Sequence, residues 1–501
     1  MLKKLIVALL MVLNNQMILA QILPAEGNTL NYRIIGFSYP KKEETTKCKL
    51  EIAAGNYNSE EAFRKNVIKT INTTTSKTIA EVPLFACQYT WRIVYVNNKT
   101  KSAFHHFNTG SLPGSNNSRL SITTPAKKYK DAYLFADNTR TLYDMSGNPV
   151  WYLPENTINS NHRILDLKAT SFGTITFIAD DKAYEIDYNG NIVWQPPHNA
   201  SISGDSIEHF HHEFTRLHNG NYMLLGCEEL PCKQCITDTN FSNIYKTTQK
   251  LPYIPFGTII EYDKNGKILW SWKSSKYYYE SDLLDFRNNG LFMVDMHENS
   301  FYFDEKDSIV YVSFKHVSRI LKIKYPEGYV LNSLGEHFLP ASPANGNGTF
   351  CNQHSIKCIK DKNLLIYNNN SCNNGLPSIL MLEKPKPGDS SLKIIWQYEC
   401  KVEGNWPEKF TTGGSVTEMG TQDIFVCMGN NYGKIFIVSK NKEILWSGVT
   451  EIYNESEKKW DGVGQYRTSI IESKKDMEQL IWQIESPVSI NGSKEPRPNR
   501  K

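Results

Sequence analysis

The sequence predicts an all-β protein in which a six-bladed β-propeller follows an N-terminal β-sandwich. Three observations predict it. A hairpin unit recurs six times beyond residue 126, residues 22–112 alternate apolar and polar positions in short runs, and no long stretch sustains a period near 3.6.

Taken in order, the 501 residues exceed one ordinary domain and carry enough apolar surface for large cores. Residues 1–20 read as a signal peptide: Lys3 and Lys4 supply charge, Leu5 to Leu13 an apolar run too short to span a bilayer, and Ala20 a small residue before the cut. Residues 22–112 carry strand patterning, as in Tyr32-Arg33-Ile34-Ile35 and Tyr89 to Tyr95. Leu84 to Val94, followed by Phe104 to Thr109, resembles the last two strands of a fibronectin-type sandwich. Gly110 to Pro125, rich in Ser, Asn, Gly and Pro, reads as a linker. Residues 126–485 form the propeller, and 486–501 a flexible basic tail.

Each copy of the repeat is an apolar strand, an Asp-X-X-Gly turn and a strand ending in Trp. Leu142 to Trp151, Ile186 to Trp194 and Tyr262 to Trp270 are the clear copies. Weaker ones run from Ile323 to Asn332, up to Trp396, and from Val438 to Trp446. Glycine tolerates the positive φ of a tight hairpin, and Trp supplies apolar area between neighbouring sheets. One hairpin cannot bury both faces, so six sheets stacked about an axis give a closed core.

A net charge of +4 on so long a chain is slight, and nucleic acid is not an implied partner. No later run is long and apolar enough for a membrane span, so the expectation is an exported periplasmic or extracellular protein. In that compartment the ten cysteines favour disulfides; Cys48 with Cys87 is the preferred pair, while Cys227, Cys232 and Cys235 have a spacing that could also suit zinc. Nine Asn-X-Ser/Thr sequons, among them Asn72, Asn199, Asn347 and Asn454, would be glycosylated in a eukaryotic secretory route.

Histidines gather just before strand starts: His209, His211 and His212; His297; and His354. If strands begin at the axis, these imidazoles converge on the central channel from different blades. The segments that hold them resemble, in order and spacing, the PAPS-independent arylsulfotransferases, which use sulfate esters as donors. The quoted elements are His212-Glu213 before Asn219-Gly220-Asn221, His297-Glu298-Asn299-Ser300, Ser313-Phe314-Lys315, Gly328 to Gly335, and Gln353-His354 before Leu364 to Asn369. The resemblance implies His354 as the nucleophile that takes the sulfuryl group, with His212, His297 and Lys315 holding its oxygens. It implies Asn299 as an orienting residue, Gln353 beside the nucleophile, and weakly a homodimer.

Sulfuryl transfer, like phosphoryl transfer, passes through a loose transition state that fixed cationic donors stabilise, and a neutral imidazole is a competent nucleophile. Where the family has arginine this chain has Lys315, which keeps the charge and loses the planar fork. Strand alternation would place Arg319 on the same face as Lys315, where it could compensate. His209 and His211 read as chance neighbours of His212, and Glu213 and Asp295 as supporting partners or ligands. A metal site built from the histidines is the minor alternative; no cofactor is expected, and no nucleotide-binding Gly-rich loop follows a strand. Two functions stay open: transfer of sulfate from an aryl sulfate to a phenolic acceptor through a sulfohistidine, or a catalytically inactive secreted propeller acting as a binding or interaction module.

Overall fold

The repeated turns form as their chemistry dictates. Gly147, Gly190 and Gly266 adopt φ of +88°, +87° and +80°. The aspartates that begin the turns cap them: Asp144 Oδ1 accepts the Ser146 and Asn148 N–H groups, Asp187 Oδ1 that of Asn191, and Asp263 Oδ1 those of Asn265 and Lys267. The computed structural model describes residues 22–40, 47–97, 99–112, 118–159, 161–197, 199–204, 207–231, 253–278, 296–335, 349–360, 362–371, 375–384, 392–401, 412–429 and 433–482. The expected signal peptide, the basic tail, Cys232, Cys235, Asp295 and Asn347 lie outside them.

Six antiparallel sheets make the six blades: in five, the repeat copy is the outer hairpin of a four-stranded sheet, and in the sixth the strand Ile444–Asn454 of the copy also pairs with Lys459–Gly462 and Ser118–Thr124, making six strands. The innermost strands are Thr468–Ile471 in blade 1, Ile164–Ala169 in blade 2, His209–Arg216 in blade 3, Glu298–Asp304 in blade 4, His354–Cys358 in blade 5 and Ser415–Glu418 in blade 6. Blade 1 takes its inner strand from the C-terminal part of the chain and its other three from Tyr133–Ala136, Thr141–Asp144 and Pro149–Tyr152, so the ring is closed by hydrogen bonds between distant segments.

Apolar cores fill the spaces between consecutive blades. In the strand Leu364–Asn368 the side chains of Leu364 and Ile366 join the cluster shared with blade 4, while Leu365 and Tyr367 join the one shared with blade 6. Period-two alternation thus divides one fully buried strand between two interfaces. The repeat tryptophans bind the next blade: Trp194 stacks on Tyr222 at 3.7 Å between ring centroids. The indoles of Trp270, Trp396 and Trp446 donate to the Pro326, Lys440 and Met145 carbonyls in the outer turn of the following blade.

Two sequence expectations are corrected, the linker and the Cys48–Cys87 pair, and the N-terminal sandwich is not confirmed. The linker ends early: Ser118–Thr124 is a strand on blade 6, paired with Ile444–Asn454, because Leu120 and Ile122 supply one apolar face that packs over the core around Trp446. In the N-terminal unit, one six-stranded sheet is accompanied by a two-stranded ladder, Ile34–Ser38 with Lys77–Glu81, rather than by a second sheet of comparable size. Phe37 of the ladder packs against Trp91 and Phe107 of the larger sheet. Cys48 and Cys87 are thiols and not a bridged pair. Cys48 stands opposite Tyr95, and Cys87 begins the same strand eight residues before Tyr95, a separation of roughly 26 Å at ~3.3 Å per residue. By contacts the chain divides into two compact units, Met1–Pro113 with Val150–Tyr152, and Gly114–Pro149 with Leu153–Lys501. Among the described residues no helix is long and apolar enough to cross a membrane.

Candidate active site

The inner strands of blades 2 to 5 are each bulged, with register shifts between Leu165 and Lys168, Phe210 and Phe214, Glu298 and Ser300, and His354 and Ile356. Asp166, His212 and Ser355 inside these bulges have φ of +59°, +61° and +53°, and His297, just before its strand, has +55°. Left-handed backbone at non-glycine residues costs on the order of 1–3 kcal/mol each and gathers where side chains must be re-aimed.

The bulges bring His212, His297 and His354 together. Ring centroids are 5.0 Å apart for His212 and His297 and 6.3 Å for His297 and His354. Tyr466, which precedes the closing strand of blade 1, completes the circuit at 6.2 Å from His354 and 5.4 Å from His212. His354 is 1% exposed, whereas His212 and His297 are partly exposed.

The partners of His354 define its tautomer. Its Nδ1 lies 2.7 Å from Asn369 Oδ1, and Asn369 Nδ2 donates to the Gly413 carbonyl, so the oxygen faces the imidazole and Nδ1 carries the hydrogen. The Gly413 N–H, 3.2 Å from Nε2, meets the lone pair on the other nitrogen. Burial, then Lys315 and His297, hold the His354 pKa well below the usual imidazole value. Burial, then His211 and His297, do the same at His212. Both rings are therefore neutral near pH 7.

Lys315 is 7% exposed and lies in the turn after Ile309–Phe314; its N–H donates to the His297 carbonyl. Its turn position removes the alternation that was to bring Arg319 to the same face. Arg319 begins the next strand, and its carbonyl accepts from Gln353 Nε2. Gln353 Nε2 also donates to Ser313 Oγ and the Phe314 carbonyl, tying the residue beside His354 to blade 4. Asn299 Nδ2 donates to the Gln353 carbonyl, so Asn299 orients the backbone next to His354 and Asn369 orients the ring.

Besides Lys357, sequence reasoning missed four participants. Arg467 is buried and donates to Asp166 Oδ1, Glu213 Oε2 and the Asn299 carbonyl, joining blades 2, 3 and 4 to the closing strand. Lys357 Nζ meets Glu213 Oε1 at 2.7 Å, and together with Arg467 it holds that carboxylate well below the usual range against the opposing effect of burial. Tyr466 and Asn369 are the second and third. The fourth is His211, whose Nδ1 lies 2.7 Å from His212 Nδ1; it is no chance neighbour. His209 is partly exposed, with its Nδ1 3.4 Å from Asp181 Oδ2, and has no ring contact with the cluster among the described residues. Among the described residues no group of three or more His, Cys, Asp or Glu side chains is arranged to hold a metal ion. The arrangement presents the lone-pair nitrogen of His354 among imidazoles and a lysine, suited to covalent catalysis on an anionic group.

The family model described as Arylsulfotransferase (ASST) matches residues 121–380 of the 501. A protein of unknown function from Bacteroides caccae is similar in structure at 12% identity and a TM-score of 0.39, covering 66% of this chain and 93% of that one. The periplasmic gluconolactonase PpgL of Pseudomonas aeruginosa gives 9% and 0.37, covering 71% and 99%. Hsv2 of Kluyveromyces lactis gives 10% and 0.31, covering 76% and 92%. No curated protein matches the chain.

Proposed function

The chain belongs to the arylsulfotransferase family, and we propose that it moves a sulfuryl group from an aryl sulfate to a phenolic acceptor through a sulfohistidine at His354. The observation that carries this reading is the tautomer of His354: with Nδ1–H committed to Asn369, Nε2 holds the lone pair for attack on sulfur. The N–S bond forms as the S–O bond to the first phenol breaks, and a second phenol reverses the exchange. The Gly413 amide gives up Nε2 for that bond and then stands beside the sulfuryl oxygens as a donor. Lys315 offsets the charge spread over those oxygens, and His212 and His297 hold them by hydrogen bonds. Export of the chain is part of the proposal, supported by the N-terminal charge and apolar run and by the disulfide-bonded state of Cys351.

Lys315, a point charge where the family has a guanidinium fork, favours the second reading, a propeller that binds aryl sulfates without turnover. Incubation with a chromogenic aryl sulfate and a phenol decides between them. The expected outcome is acceptor-dependent chromophore release that falls more than about 10³-fold in His354→Ala. Binding of the ester without release by the wild type establishes the second reading instead.

A further inference from the structure

We propose that His211 is the proton relay of this site, passing protons between solvent and His212. The inference rests on the sulfuryl-transfer reading and extends it to the fate of the phenol proton.

In a regular strand, consecutive side chains point to opposite faces, so His211 and His212 would lie on opposite sides of the inner sheet of blade 3. They do not. The register of Phe210 to Phe214 slips against the neighbouring strand, His212 takes φ of +61°, and the two Nδ1 atoms come within 2.7 Å with their rings nearly perpendicular at 84°. A strained bulge that creates a contact between two imidazoles is a feature to be explained by function. Two ring nitrogens at this distance share one hydrogen, one as donor and the other as acceptor. With Nδ1 of His212 committed to His211, its Nε2 is left for the substrate side, where His297 and Tyr466 flank the ring. His211 is partly exposed, so the imidazole pair has a side open to water.

The bookkeeping closes in both directions. As His354 Nε2 bonds to sulfur and the S–O bond breaks, the departing phenolate oxygen takes the proton from His212 Nε2. His212 regains a proton at Nδ1 from His211, which enters as the imidazolium, charged from water, and stays neutral until the second half returns the proton. In the second half, the acceptor phenol gives its proton to His212 Nε2, His212 returns one to His211, and the N–S bond breaks as the new S–O bond forms. General acid assistance matters most for the leaving group that most needs a proton.

The test uses the full chain in single turnovers, enzyme in excess and no acceptor, with two donors: 4-nitrophenyl sulfate, whose phenolate leaves unaided, and phenyl sulfate, whose phenolate does not. His211→Asn keeps a hydrogen-bonding atom at the place of Nδ1 but carries no transferable proton. It is expected to cleave 4-nitrophenyl sulfate within about threefold of wild type and phenyl sulfate on the order of 10²-fold more slowly. A purely positional His211 gives a different pattern: His211→Ala slows both donors alike and His211→Asn restores both, which overturns the relay. No effect on either donor overturns it too. Melting temperatures establish that the variants are folded, and His211→Gln replaces any that is not. If wild type cleaves neither donor, the sulfuryl-transfer reading falls and the relay with it. If wild type cleaves both donors and His211→Asn slows them equally, the relay alone falls.

Discussion

Neutral imidazoles held inside a fold make it sensitive to acid. Burial disfavours the cation at His354 and His212, and Lys315, His211 and His297 add to that effect. In the unfolded chain both return to about 6.5. Below that value the unfolded state binds more protons than the folded state, so the contribution to stability is complete above about pH 6.5 and is lost as pH falls toward the lower folded values. Each ring contributes a slope of up to about 1.4 kcal/mol per pH unit. Melting temperatures measured from about pH 7.5 down to about pH 5 are therefore expected to decline more steeply in the wild type than in His354→Asn; equal slopes contradict the burial argument. Three of the histidines were legible in the sequence because each stands at a strand start in the order a ring of blades requires. His211 was not, because alternation separates sequence neighbours and only a left-handed bulge residue overrides it. Asn369 lay within a quoted apolar run, with nothing local to say that its amide would meet the ring of His354.

At the scale of the element, the repeat was readable because its chemistry is local. Asp caps the turn, Gly takes the positive φ, and both effects act within five residues of chain. The role of the terminal Trp is only half local: its area was foreseeable, whereas its N–H bond to the next blade's turn depends on how the blades stack. Burial grades that bond. Trp446 is fully buried and donates to the Met145 carbonyl at 2.9 Å, while the Trp270 bond to the Pro326 carbonyl is exposed to solvent. Removing a partner from a buried carbonyl costs about 1–3 kcal/mol, and water can replace a lost donor at an exposed one. Trp446→Phe should accordingly lower the urea midpoint by the equivalent of about 2 kcal/mol beyond the change in Trp270→Phe, with an unchanged dependence on denaturant. Equal losses would mean that indole area, and not the bond, sets the contribution.

At the scale of the whole propeller, what local pattern concealed is closure. The strand Thr468–Ile471 and the residues before it come from the C-terminal part of the described residues, yet they supply the inner strand of blade 1 and place Arg467 among blades 2, 3 and 4. Side chains also link successive inner strands: Asp166 accepts the Phe214 N–H, Ser300 that of Ile356, Ser355 that of Val416, and Ser415 donates to the Thr468 carbonyl. No periodicity announces such pairings, because their partners are far apart in sequence. Arg467 is the residue at which closure and chemistry meet. Its guanidinium neutralises two buried carboxylates, Asp166 and Glu213, and its third contact holds the Asn299 carbonyl two residues beyond His297. Arg467→Met leaves those carboxylates short of a cation, and breaking a buried pair in this way costs about 3–5 kcal/mol. Lys168 and Lys357 remain beside Glu213, so the lower end of that range is expected. Arg467→Lys restores charge without the fork, cannot reach Asp166, Glu213 and the Asn299 carbonyl at once, and should recover part of the stability while leaving the histidines less well aligned. Calorimetry and single-turnover release from 4-nitrophenyl sulfate measure the two effects separately: the expected order of stability is wild type, Lys, Met, with release slowed in both variants. If Arg467→Met melts with the wild type, closure is carried by the strand hydrogen bonds alone, and the buried charges are balanced without the guanidinium.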